Sequence, residues 1–211
     1  IRLIMLYTIA HIIQNKAPWL WNMVEKMNAV AFQLLRSSSI AQLNVCCSDG
    51  VRLANEDDAH RLQQFFAEQP EENYKWFRPH GFDETSLMRL LRLPSYIMYV
   101  QEEDGEVIGY AFLRCFCNGK CFLGKMVDYR HQGKGVCTTL CRVGMRMASM
   151  LRVRMYESIN EDNVGSMKAS RRACEVMVVE TLEDGDVLIE DKPKEDDEWY
   201  VKNGFEACGL K

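Results

Sequence analysis

The chain has 211 residues, 47% of them hydrophobic and 27% charged, with a formal net charge of −4. That is enough for one domain, or one domain with an extension, around a packed core, and the acidic balance argues against a general nucleic-acid binder. Nine cysteines, with no CxxC pair and no Cys/His metal spacing, exclude a disulfide scaffold or a metal site and point to reduced thiols in a cytoplasmic protein.

Taken in chain order, IRLIMLYTIAHII at the N-terminus is apolar but interrupted by Arg2 and His11. It is too short for a membrane span and carries no cleavage site of the signal-peptide kind. Residues 1 to about 38 read as helix. After Pro18, the residues Leu20, Met23, Val24, Met27, Val30, Ala31 and Leu34 recur at helical spacing. This stripe is expected to pack on the domain or on a second copy of it, which would make a homodimer through the N-terminal helices. Residues 1–40 are thus read as a helical extension and 41–211 as the main domain.

Leu43 to Val51 alternates weakly, as a short strand would. The acids of Asn55-Glu56-Asp57-Asp58 open a helix with Ala59, Leu62, Phe65 and Phe66 inward. The loop NYKWFRPHGFD follows, and Asp83 caps a helix with Leu87, Leu90 and Leu91 inward. The period then changes to two. YIMYVQ is a strand, Asp104-Gly105 a hairpin turn, EVIGYAFLRCF a longer strand, Asn118-Gly119 a second turn, and Cys121 to Val127 a third strand. Cys115, Cys117 and Cys121 are expected to pack as small hydrophobes. A helix then keeps Val136, Leu140, Val143, Met147, Met150 and Leu151 on one face. Val153 to Ser158 is a strand, Asn163 opens a helix through Ala173, and Val176–Thr181 with Asp186–Glu190 form a last hairpin. The acid-rich run Glu180 to Glu198 reads as a solvated face, or as a wall that draws a cationic substrate.

Between the third strand and the long helix lies YRHQGKG. A strand, a glycine loop and a helix make an anion site, because the first-turn N–H groups lack backbone partners and sit at the positive end of the helix dipole. Gly133 and Gly135 let a ligand approach the main chain. Arg130, His131 and Lys134 add positive charge, so a phosphate or pyrophosphate is the expected ligand. The loop is neither GxxxxGK[ST] nor the dinucleotide GxGxxG, since the preceding strands are antiparallel.

The element order and VDYRHQGKGVCTTL resemble the GNAT acyltransferase superfamily, whose [Arg/Gln]-x-x-Gly-x-[Gly/Ala] loop binds the pyrophosphate of acetyl-coenzyme A. Arg130, Gly133 and Gly135 fall in the matching places. The resemblance covers about residues 43 to 191 and continues to Asn163, matching an asparagine that reaches the pantetheine arm. It implies an α/β (α+β) fold: a mixed, mostly antiparallel central sheet flanked by helices. It implies an acetyl-CoA-dependent N-acetyltransferase that moves an acetyl group to a primary amine by direct attack on the thioester. The cofactor would lie along Met126, Val127, Arg130, His131, Gln132, Gly133, Lys134, Gly135 and Asn163, with main-chain N–H groups near Met126 and Val127 polarising the thioester carbonyl.

The sequence also departs from the pattern. The family's acid, a tyrosine seven residues after the asparagine, is here Ser170. Tyr156 is one substitute, and YVKNGF at 200–205 resembles a displaced copy of that segment. For the base, the third strand of the meander holds no glutamate, and Glu157 and His80 are the candidates. Alternation puts Tyr156 and Glu157 on opposite faces. Trp76, Phe77, Arg78 and His80 would line the acceptor site, which suits a small-molecule amine such as an amino-sugar or a nucleotide-linked one. Inside the class a polyamine or cationic antibiotic is the alternative. Outside it stands a non-catalytic acyl-CoA-binding or partner-docking module.

Overall fold

The computed structural model describes residues 18–182, 185–194, 198 and 200. The elements, in order, are α1 (Pro18–Ile40), β1 (Val51–Leu53), α2 (Asp58–Ala67), α3 (Glu84–Leu91), β2 (Tyr96–Glu103), β3 (Glu106–Phe116), β4 (Lys120–Val127), α4 (Val136–Met150), β5 (Arg154–Asn160), α5 (Val164–Ala173), β6 (Cys174–Thr181) and β7 (Asp186–Pro193). The strands form one seven-stranded sheet in the order β1-β2-β3-β4-β5-β7-β6. Every pairing is antiparallel except β4 with β5.

The meander forms where the period-two pattern and its turns place it. Asp104 and Gly105 both take positive φ (52° and 83°), the geometry that matches the twist of a two-residue hairpin and that Asp-Gly tolerates at low cost. Where the sequence pattern suggested a strand from Leu43, the chain instead makes a tight turn of 3-10 helix over Leu43–Cys46, and β1 is only three residues long. Arg146, buried on α4, donates to the carbonyls of Val45 and Cys46 (3.1 and 3.0 Å), and these tertiary bonds hold the turn.

Alternation along the strands builds a core on each face of the sheet. On one face Tyr99, Ala111, Leu113, Cys115, Cys121 and Met155 pack against Val136, Leu140, Val143 and Met147 of α4. On the other, Met98, Val100, Tyr110, Phe112 and Met126 pack against Leu62, Phe66, Leu87 and Leu90 of α2 and α3. Cys117, expected inside, is exposed, because it lies past the end of β3 in the turn.

The N-terminal helix answers half of a further expectation. Its Met23, Val24, Met27, Val30 and Leu34 are exposed, Leu34 by 78%, so the apolar stripe does not dock on the described residues of the domain, one of its two expected surfaces. Ala29 and Phe32 are buried instead. Beside them Asn28 donates to the carbonyl of Cys115 and accepts from the N–H of Cys117, both at 2.9 Å. One amide thus replaces a strand partner at the end of β3. Asn28→Ala would remove both bonds, at roughly 0.5–1.5 kcal/mol each. The expected result is faster amide exchange across α1 with protection on α4 unchanged, and unaltered exchange on α1 would refute the anchoring role.

Candidate active site

β4 and β5 pair only at Lys120–Arg154, Cys121–Met155 and Phe122–Tyr156. Beyond that point the strands part. From Leu123 to Val127, β4 keeps β3 on one side and has no strand on the other. α4 begins at the head of this gap. The result is a cavity of about 900 Å³, walled by Leu123–Val127 of β4, Glu157–Asn160 of β5, the glycine loop, the first turn of α4, one face of α5 and the loop Glu72–Arg78.

The glycine loop is built as an anion cradle. Gly133 and Gly135 have φ of 77° and 92°, a region that L-residues rarely adopt, and a Cβ at either would meet nothing within 4 Å. Open space, and not packing, lies beyond both. The first hydrogen bond inside α4 is from Thr139 N–H to the Gly135 carbonyl (3.0 Å), which leaves the preceding first-turn N–H groups without intrahelical partners. Gly135 is the N-terminal cap of the 15-residue helix, so its positive dipole end opens onto the cavity.

His131, Gln132, Gly133 and Gly135 line this cavity; Arg130 and Lys134 do not. Arg130 instead clamps the buried carboxylate of Asp128, Nε to Oδ1 at 2.9 Å and Nη2 to Oδ2 at 2.8 Å. That guanidinium holds Asp128 well below the usual carboxylate range. Asp128 also accepts from Arg130 N–H (2.8 Å) and from Gln69 Nε2 (3.3 Å). Gln69 Oε1 in turn accepts from Tyr129 N–H and Asn73, and Asn73 Oδ1 from Gln132. Arg130 therefore shapes the loop from behind, through a polar truss that ties it to the end of α2. Asp128 and Gln69 escaped the sequence reading; an aspartate two residues before the arginine was the available signal.

Of the acid–base candidates, Glu157 alone faces the cavity. Tyr156 points to the opposite face, where its hydroxyl donates to Glu190 (3.1 Å) and its ring lies tilted against Phe122. Burial and Glu190 raise its pKa, so it offers no proton to the gap. His80 is held between Gly81 O (2.8 Å) and Tyr110 Oη (2.9 Å) within a nest of aromatic rings. Burial lowers its pKa, and it does not line the cavity. Of YVKNGF only Tyr200 lies within the described residues. Its hydroxyl donates to Ala173 O (2.9 Å), and it too is absent from the cavity wall.

Glu157 sits in a cluster that sequence reasoning missed. Its carboxylate pairs with the ammonium of Lys125, both side chains being at most 4% exposed. Ser170 donates to Glu157 Oε1 (2.8 Å) and accepts from Lys125 Nζ (3.1 Å). Burial works against the Lys125 ammonium, but the acidic groups of Cys141 and Glu157 outweigh it and hold its pKa above the usual lysine value; the touching carboxylate is the charge that does so. Behind them lies Asp191, 2% exposed, with neither carboxylate oxygen hydrogen-bonded. Burial, and then the Glu157 charge, push its pKa up to about 8. The signal in the sequence was one charged residue on the otherwise apolar inward face of each of three strands.

Asn163 lines the cavity while its side chain caps α5, accepting from Ser166 N–H at 3.2 Å. At the other mouth, Trp76 (39% exposed), Phe77 and Arg78 line the wall. Lys75 lies over the Trp76 ring at 4.1 Å, and Arg78 pairs with Glu71 at 2.6 Å. Glu72 and Asp186 add negative charge to the same wall.

A mixed seven-stranded sheet that splays between β4 and β5 is a fold that this chain shares with solved GNAT acetyltransferases. No protein-family model matches the sequence, and a search of curated proteins found no match. Solved structures do match. The GNAT domain of S. lividans PAT superposes with a TM-score of 0.57 at 19% identity, over 66% of this chain and 88% of that one. Mycobacterium smegmatis RimJ, solved with CoA-disulfide, gives 0.59 at 17%, over 73% and 88%. The aminoglycoside acetyltransferase AAC(6')-Ib, solved with coenzyme A and kanamycin, gives 0.55 at 16%, over 74% and 98%.

Proposed function

We propose that the protein is an acetyl-CoA-dependent N-acetyltransferase that acts on a primary amine. The observation that carries this reading is the coincidence of the β4–β5 gap with the open-faced glycines at the N-terminus of α4. The residues present suit coenzyme A, which supplies an activated acetyl group when bound. First-turn N–H groups of α4, with Gly133 and Gly135, would receive the pyrophosphate. The edge of β4 at Met126 and Val127, which has no strand on the gap side, would receive the pantetheine arm and polarise the thioester carbonyl. Asn163 would meet the same arm from α5. Glu157 takes a proton from the attacking amine as general base, since it alone of the candidate bases reaches the gap.

The acceptor we favour is an amino-sugar, free or nucleotide-linked. The exposed Trp76 ring offers a flat apolar face to a sugar, while Glu72 and Asp186 offer carboxylates to its ammonium. AAC(6')-Ib, whose structure contains kanamycin, itself an amino-sugar compound, lends support. The described cysteines are free thiols, which suits a reducing compartment such as the cytoplasm.

The test is calorimetric titration with acetyl-CoA, followed by thiol release with kanamycin, a UDP-linked amino-sugar and spermidine as acceptors. Micromolar acetyl-CoA binding and turnover of the sugars is the expected result. Turnover of spermidine alone would overturn the acceptor, and absence of acetyl-CoA binding by the folded protein would overturn the whole reading.

A further inference from the structure

We infer that Lys125 and Glu157 form a single proton circuit in the gap, with Lys125 as the acid that serves the departing coenzyme A sulfur; the inference rests on the acetyltransferase reading above. A buried ion pair is weak evidence of stabilisation, because removing two charges from water costs about as much as their attraction returns. This pair also forms part of a cavity wall, and a buried charge pair in a cleft is a candidate functional site. The other cations on that wall belong to its exposed parts: Lys75, Arg78, Lys168 and Arg172 are exposed, whereas the Lys125 side chain is 4% exposed. Ser170, on α5, bonds to both members of the pair. Tyr156, Tyr200 and His80 are absent from the cavity wall. His131, 16% exposed, also lines the wall, but its ring nitrogens face Asp128 (3.3 Å) and Glu103 (3.5 Å); among the described residues Lys125 is the buried ammonium of this wall.

The charge balance gives the pair its sense. At rest Lys125 is ammonium and Glu157 carboxylate, and the pair is neutral overall. The acceptor, having released its ammonium proton to water, forms its nitrogen–carbon bond to the acetyl group and gives a second proton to Glu157. That neutralises the partner of Lys125 at the moment when the carbon–sulfur bond breaks and the sulfur takes the electron pair. Lys125, its charge now uncompensated, donates a proton to the sulfur and recovers one from Glu157 across their direct contact. The proton travels from amine to thiol, and the pair returns to its starting state. The groups that face this pair are Ser170 from α5, Cys137 and Cys141 from α4, Asp191 from β7 and Tyr99 from β2. Burial and then the Glu157 charge push the Asp191 pKa up to about 8, which favours its neutral form beside the pair.

The experiment needs no acceptor. The thiol of bound coenzyme A is titrated by its ultraviolet thiolate absorbance, with the complex of desulfo-coenzyme A as blank to cancel the protein's own cysteines. In the parent the bound thiol should titrate at least about one unit below the ordinary thiol value near 8.5. Lys125→Gln should abolish that depression, Lys125→Arg should keep it, and Glu157→Gln, which leaves the ammonium unpaired, should deepen it. An unshifted thiol in a parent that binds coenzyme A would overturn the circuit and leave the acetyltransferase reading standing. The same depression in Lys125→Gln, or no change in Glu157→Gln, would also overturn it. Failure of the folded parent to bind coenzyme A or acetyl-CoA would remove the reading on which the circuit rests.

Discussion

Gly133→Glu should weaken acetyl-CoA binding by at least about a hundredfold, a loss of roughly 2.7 kcal/mol or more. The new carboxylate would project into space that is open for 4 Å around the Cβ and would meet the pyrophosphate charge to charge. The fold itself should survive. The positive φ of 77° strains an L-residue by about 1–2 kcal/mol, and nothing nearby must move. Gly119→Glu is the matched control. Gly119 has φ of 81° and equally open surroundings, but it sits in the β3–β4 turn and does not line the cavity. Calorimetry on both variants separates strain from site. Equal loss in the two would mean that backbone strain is what binding senses. Parental affinity in Gly133→Glu would mean that YRHQGKG is merely a glycine-rich helix start, and the anion cradle would fall.

The elements were legible where local chemistry decides them. EVIGYAFLRCF becomes β3 at those very residues, between Asp-Gly and Asn-Gly turns, and Asp83 caps α3 through Ser86 N–H as its position suggests. The glycine loop was legible too, since positive φ and helix-start chemistry are written in adjacent residues. What escaped is what depends on distant partners. Helical spacing in α1 identifies an apolar stripe, yet the face that docks carries Asn28, whose value lies in two main-chain groups of β3 far along the chain. Arg130 looks like an anion ligand beside two glycines, until Asp128 takes its guanidinium. Lys125 drew no notice, Glu157 stood as a candidate base on its own, and Asp191 fell in an acid-rich run expected to be solvated but is 2% exposed; the β5–β7 pairing and the strands' course beyond the short β4–β5 pairing bring the three together. Alternation tells which face a strand residue takes; it does not tell which other strand supplies its neighbour.

Asp191→Asn should stabilise the protein at alkaline pH and change little in acid. In the fold Asp191 has its pKa raised from 3.8 to about 8, first by burial and then by the Glu157 carboxylate. Below about pH 4 the carboxyl is protonated in folded and unfolded chains alike, and its contribution is fully present. Between about pH 4 and 8 the folded state holds a proton that the unfolded state has released. Stability must therefore fall as pH rises through that window, by up to about 1.4 kcal/mol per unit. Across pH 5 to 8 the loss attributable to this one group approaches roughly 4 kcal/mol, an upper bound because Glu157 and Lys125 share the charge. An asparagine has the same shape and no proton to lose, so the slope should flatten. At 2–4 °C per kcal/mol for a chain of this size, the variant should melt on the order of 10 °C above the parent at pH 8, and near it at pH 5. Thermal denaturation at the two pH values decides the matter. Parallel profiles would show that Asp191 is ionised within the fold. The charge of the cluster would then be negative at rest, and Lys125 would answer two carboxylates instead of one.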